Sequence, residues 1–167
     1  MKLIELNLQD KVMMMTLLPV YQNYEAEISN EKLEDIFPPD EFQENFEYFK
    51  DYFSRGYTTY ICVINDEFNG FVSFHKVSAS APGYAKGYDG WGHIAEIYAD
   101  KQSRRLGLGK TMVIKAEEEL RKLDIKGIYL TDISGNDDFW KSMGYTDTGK
   151  IEPEEGGHIY EKIKGVL

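Results

Sequence analysis

Chemistry is concentrated in one short run, Arg104-Arg105-Leu106-Gly107-Leu108-Gly109-Lys110. Glycines at two of these positions let the backbone approach a bulky anion with no Cβ in the way. If a helix follows, its first N–H groups have no intrahelical acceptor and point into the loop. The helix dipole and the cations Lys101, Arg104, Arg105 and Lys110, with no acid among residues 101–110, add to a preference for negative charge. The pattern reads as a phosphate cradle. It is not the dinucleotide fingerprint, because position 112 is methionine, and G-x-x-x-x-G-K-[ST] is absent. A nucleotide-using enzyme would also need a Mg²⁺ ligand set or a ribose-binding acid, and neither is visible.

The elements around the run fit that role. Residues 93–100 (HIAEIYAD) read as a strand, and residues 107–123 as a helix. Its apolar stripe is Leu108, Met112, Ala116, Leu120 and Leu123, with Glu117–Arg121 and Glu118–Lys122 paired on the wet side. GIYLTDI (127–133) is a strand, and a short helix follows Asn136 and ends at Gly144. YTDTGKI (145–151) and HIYEKI (158–163) close the domain around the acidic turn EPEEGG. Upstream, LIEL (3–6) is a strand, and Asp10 can cap a helix that Pro19 interrupts. Phe42, Phe46, Phe49 and Phe53 give residues 40–55 one buried helical stripe. TTYICVI (58–64) and GFVSFHKV (70–77) form a hairpin through NDEFN. Residues 78–92 are Gly-rich with Tyr84, Tyr88 and Trp91; a stretch this long is either functional or mobile. Alternating strands and helices predict an α/β protein.

A chain of 167 residues suits one domain, and 42% hydrophobic with 14% aromatic residues argues against disorder. A net charge of −10 is poorly suited to nucleic acid. No apolar run reaches the roughly 20 residues of a membrane span, and Glu5 and Asp10 interrupt any signal-peptide core. The single Cys62 and the absence of zinc-ligand spacing point away from a disulfide or a metal centre. A cytoplasmic location is expected. Residues 25–51 hold ten acids against Lys32 and Lys50, which is −8 of the total.

Arg104, Gly107 and Gly109 match a Q/R-x-x-G-x-G/A motif in place and order, and Asn136 with Phe139, Gly144 and Tyr145 looks like an N…F-Y-x-x-x-G-F element. On these two motifs the chain resembles the GNAT superfamily of acyl-CoA-dependent N-acetyltransferases, across residues 58–163 and most sharply over 93–145. The resemblance implies the GNAT fold: a central mixed, mostly antiparallel sheet of six to seven strands flanked by helices on both faces. It implies one domain over 1–167, with variable acceptor-side helices in 1–55 and the acyl-CoA core in 93–145.

It also implies acetyl-CoA as co-substrate, without a metal. The pyrophosphate would lie on the amides of Arg104, Arg105, Leu106, Gly107, Leu108, Gly109 and Lys110. The pantetheine arm would pair with Ile97, Tyr98 and Ala99, whose strand also offers an oxyanion donor, and Asn136 and Trp140 would line the arm's other side. A primary amine is roughly one part in a thousand unprotonated at pH 7, so a base is required. Glu96 and His93 are the candidates, with Glu96 favoured; alternation puts them on opposite faces unless a bulge intervenes. Where the family often has a tyrosine acid, this chain has Trp140, whose N–H is a donor but not a usable acid. Tyr98, Tyr145 or water remain for the thiolate.

The acidic 25–51 region, Tyr21, Tyr24 and the aromatic 84–91 loop suggest a small cationic amine or a basic peptide end as acceptor. Homodimers are frequent in the family. The alternative is a module that binds acyl-CoA as a sensor without turnover.

Overall fold

A computed structural model describes residues 1–78, 87–154, 156–163 and 165. Seven strands are β1 (Lys2–Glu5), β2 (Thr58–Ile64), β3 (Glu67–Lys76), β4 (Gly92–Ala99), β5 (Gly127–Asp132), β6 (Thr146–Ile151) and β7 (His158–Ile163). They hydrogen-bond in the order β1-β2-β3-β4-β5-β7-β6. Pairing is antiparallel for β1–β2, β5–β7 and β6–β7 and parallel for β4–β5, so the sheet is mixed. The helices that flank it are α1 (Lys11–Ser29), α2 (Leu33–Ile36), α3 (Phe42–Ser54), α4 (Leu108–Arg121) and α5 (Asp137–Ser142). The chain divides into two compact units, Met1–Val72 with Ile97–Met112, and Ser73–Glu96 with Val113–Leu167.

In the first unit, Asp10 caps α1 by accepting from the Met13 N–H at 3.0 Å. The helix runs through Pro19, which the sequence suggested would break it. Pro19 is exposed, so the hydrogen bond it removes lies on the wet face. Met14, Leu17, Leu18 and Tyr21 hold both halves from the buried face. Each such buried side chain is worth roughly 1.5–3 kcal/mol relative to exposure. They pack with Phe49 and Phe53 of α3, Ile61 and Val63 of β2, Phe71 of β3 and Tyr98 of β4. The aromatic stripe of α3 is therefore buried only in its second half, and Phe42 is 46% exposed. The β2–β3 hairpin turns on Asn65 and Asp66, both at positive φ (50° and 64°). That two-residue turn is tighter than the five-residue link expected.

The second unit gathers Val77, Tyr88, Tyr129 and Ile159, with Trp91 against them. A Cβ at Gly127 would stand 2.6 Å from the Trp91 ring, so only glycine lets that strand pass beneath the indole. On α4, Ala116 and Leu120 are fully buried, whereas Leu123 lies past the helix end and is 46% exposed. Glu117, expected on the wet face, is buried and binds both Arg121 and Lys162; Lys122 pairs with Glu119 rather than Glu118.

Candidate active site

In the first unit β4 ends at Ala99, a turn of 3₁₀ helix spans Lys101–Ser103, and the Gly-rich loop leads into α4. Arg105 and Gly107 both take the left-handed region, φ 66° and 82°. Among the described residues nothing lies within 4 Å of where a Cβ on Gly107 would stand, so the loop faces open space there. Thr111 is the first residue of α4 to bond back, its N–H donating to the Gly107 carbonyl at 3.0 Å. The N–H groups ahead of it are those a helix start leaves without an intrahelical acceptor. Leu108 is buried and anchors the turn; Arg105, Leu106 and Lys110 are exposed, and Gly109 is half-buried.

Arg104 plays a part no local pattern announced. Its Nε donates to the Ala99 carbonyl at 2.9 Å, and its Nη2 donates to both carboxylate oxygens of Glu27 on α1 at 2.7 Å. The guanidinium also sits 5.7 Å over the Tyr98 ring, and Lys101 approaches Glu27 at 3.8 Å. Arg104 thus braces the start of the loop with its side chain. Burial first, then Glu27 and Asp100, push the Tyr98 phenol up to about 12.

In the second unit β4 pairs with β5 only at Gly92↔Ile128 and His93↔Tyr129. Past His93, Ile94, Ala95 and Glu96 continue without that ladder. Gly92, Ile94 and Tyr98 are buried; Glu96, at the same strand parity, is half-buried. His93 has the opposite parity, so the two candidate bases do not share a face.

His93 is held tightly. Its Nδ1 is 3.2 Å from His75 Nε2, and its ring stacks on Tyr129 at 4.4 Å and 6°. Tyr129 stacks in turn on Tyr88 at 4.1 Å, and the Tyr88 hydroxyl donates to Glu161. Desolvation, then the neighbouring His75, push His93 down to about 3. His75, on β3, was missed in the sequence; its signal was a histidine ending the apolar run FVSF.

At the other end of the second unit, buried Asp132 accepts from the Ser134 N–H and hydroxyl at 3.1 and 2.8 Å and from the Asn136 N–H at 2.6 Å. Asn136 is exposed and its Nδ2 donates to Ser134 Oγ at 2.6 Å. Trp140 is buried, packed edge-on to Tyr145 at 5.6 Å, and its indole N–H has no hydrogen-bond partner among the described residues. Tyr145 is also buried, and desolvation followed by Glu117 raises its pKa.

Several residues expected on the acceptor side lie elsewhere. Tyr21 and Tyr24 belong to the first unit's core, because they share the α1 face of Leu17 and Met14. Tyr88 is buried in its stack on Tyr129, and Trp91 packs against it; Tyr84 lies outside the described residues. Of the acids in 25–51, Glu25 and Glu27 are half-buried and the other eight are exposed.

The profile of the acetyltransferase (GNAT) family matches residues 25–145. Among curated proteins, none matches the chain's sequence. A Pyrococcus horikoshii protein has a similar structure, with TM-score 0.68 and 20% identity over 98% of both chains. So does the PaiA N-acetyltransferase of Thermoplasma acidophilum in complex with coenzyme A, with TM-score 0.65 and 14% identity over 98% of this chain and 100% of that one. An aminoglycoside 6′-N-acetyltransferase complexed with coenzyme A follows, with TM-score 0.66 and 15% identity over 98% and 97%. At these identities the likeness is one of fold.

Proposed function

Because the chain belongs to the GNAT acetyltransferase family, we propose that it moves an acetyl group from acetyl-CoA to the primary amine of a small cationic molecule or peptide. The observation that carries this is the start of α4: left-handed Arg105 and Gly107 under open space, ahead of the first bonded amide at Thr111. Such a run of amides at a helix start suits a diphosphate. Ile97, Tyr98 and Ala99 would take the pantetheine arm as a strand, with Asn136 and Trp140 also set against it. The similar structures that hold coenzyme A support the same ligand here.

The chemistry is direct attack within a ternary complex. Glu96, itself or through a water, removes a proton from the ammonium, and the free nitrogen attacks the thioester carbonyl. A β4 amide steadies the oxyanion. The C–S bond breaks as the amide forms; the nitrogen gives up its second proton, the sulfur takes one up, and coenzyme A leaves as the thiol. Glu96 is preferred to His93, whose ring is held between His75 and Tyr129 and whose charged form burial disfavours, whereas a carboxylate attracts the ammonium it must deprotonate. Burial keeps Tyr98 and Tyr145 protonated at neutral pH and makes both weaker acids than a free phenol, which leaves water as the readier proton source for sulfur. Glu27 is already paired with Arg104, but the half-buried Glu25 and the eight exposed acids of residues 25–51 favour a cationic acceptor.

Acetyl-CoA mixed with polyamines, aminoglycosides, amino acids and N-terminal peptides, with free thiol followed, tests this directly. Thiol release with at least one class is expected, and silence across all of them would contradict it. Trp140, in place of a tyrosine acid, favours one rival: a sensor that holds acyl-CoA without turnover. Tight coenzyme A binding with no rate for Glu96→Gln to remove would identify that rival.

A further inference from the structure

We propose that Lys162 is a positioning residue that sets α5, and with it Trp140, for the acyl-CoA arm; this rests on the proposed function, which places α5 against that arm. The Lys162 Nζ donates to Glu117 Oε1 at 2.9 Å, to Glu117 Oε2 at 3.1 Å and to the Met143 carbonyl at 2.9 Å. An ammonium has three protons, and three acceptors use them all. The two side chains are 11% and 4% exposed. Arg121 adds a 2.7 Å contact to the same carboxylate, so two cations share one anion beside the last turn of α5. Positive charge there suits the carbonyls at a helix end.

A six-residue helix does not hold itself. α5 is tied at its start by Asp132, through the Asn136 N–H, and at its end by Lys162. Between the ties, the Trp140 indole N–H finds no acceptor among the described residues, so packing alone sets the ring. Its ring rests on Phe139 at 4.9 Å and on Tyr145 at 5.6 Å, and Lys162 stands 5.4 Å over that Tyr145 ring. Gly144, at φ 83°, turns the chain beneath the lysine, and a Cβ there would lie 3.5 Å from Lys162 Cε. Both supports of Trp140, the α5 backbone and Tyr145, are therefore touched by one buried ammonium. An apolar pair would fill the same space at little loss of stability, but it could not hold a carbonyl.

The test compares wild type with Lys162→Met/Glu117→Met and with Lys162→Arg, which still donates. Calorimetry with coenzyme A and with adenosine 3′,5′-bisphosphate, which lacks the arm, is run alongside Trp140 emission in a Trp91→Phe background. The double variant is expected to lose about tenfold in coenzyme A affinity while the bisphosphate binds as in wild type. Trp140 emission should shift to the red, and Lys162→Arg should stay within about threefold of wild type. Equal losses for both ligands, or unchanged affinity and emission in a folded double variant, would overturn the proposal. If the apolar pair does not fold, Lys162→Met with Glu117→Gln, which leaves no donor at 162, is read in the same way. Wild type that takes up no coenzyme A would defeat the proposed function instead, and the emission would still decide whether Lys162 sets Trp140.

Discussion

At neutral pH His93 is an uncharged ring between His75 and Tyr129, while Glu96 stands half-buried at the opposite strand parity. Glu96→Gln should lower kcat by about 10²–10⁴-fold with little change in KM for acetyl-CoA, as expected for loss of a general base. His93→Phe keeps the stack on Tyr129 and should leave kcat within about threefold; steady-state kinetics on both variants checks the assignment. His93 also makes the protein's stability sensitive to acid. Its folded pKa of about 3 lies below its ordinary 6.5, so between those values the unfolded chain binds more protons. Stability is then complete above about pH 6.5 and declines as pH falls toward 3. Melting curves from pH 7 to 4 should show that decline, and His93→Phe should flatten it. The sequence marked both Glu96 and His93 but not the His75 that contacts the second, because their pairing crosses two strands. Arg104 likewise stood out by motif, yet its partner Glu27 is 77 residues away and no local pattern joins them.

The elements were legible where local signals dominate, as with Asp10 at the start of α1, the apolar period of α4 and the Gly-rich turn before it. They were less so where tertiary packing decides. Pro19 reads as a breaker, but the buried Leu17, Leu18 and Tyr21 carry the helix past it. The Asn65-Asp66 turn lacks the glycine that usually advertises a two-residue hairpin. Tyr21 and Tyr24 looked like acceptor contacts because aromatic residues near acids suggest cation binding, yet the period of α1 turns them inward. Strand packing supplies a stability prediction of its own. A Cβ on Gly70 of β3 would stand 2.3 Å from the Tyr98 carbonyl of β4, a backbone atom that cannot step aside. Gly70→Ala should destabilise by about 2–3 kcal/mol, read as a lower urea midpoint; a midpoint equal to wild type would mean that β3 and β4 approach less closely than described.

Across the molecule, the charge is the property most exposed to solution conditions. Eight of the ten negative charges come net from residues 25–51, and most of those acids lie exposed on α2, α3 and their links. If they attract the acceptor, kcat/KM for a polyamine should fall several-fold between about 0.05 and 0.5 M salt, while coenzyme A affinity changes less. A flat salt profile would remove the electrostatic argument for a cationic acceptor. The family and its fold were readable from two motifs at the proper separation, since they depend on backbone shape that glycine and asparagine announce. The acceptor was not, because its contacts would come from side chains whose exposure only the fold decides.

Uptake of a thioester's diphosphate at the amides that begin α4 is the claim on which the rest depends. Titration calorimetry of coenzyme A into the wild-type protein and into Gly107→Glu measures it most directly. The substitution puts an acidic side chain in open space but at a left-handed φ of 82°, so it strains the turn locally as well as repelling the anion, and folding is checked by circular dichroism alongside binding. One-site binding by wild type, weakened at least about tenfold in Gly107→Glu, is the predicted result. No heat from wild type, or equal uptake by a folded Gly107→Glu protein, would contradict it.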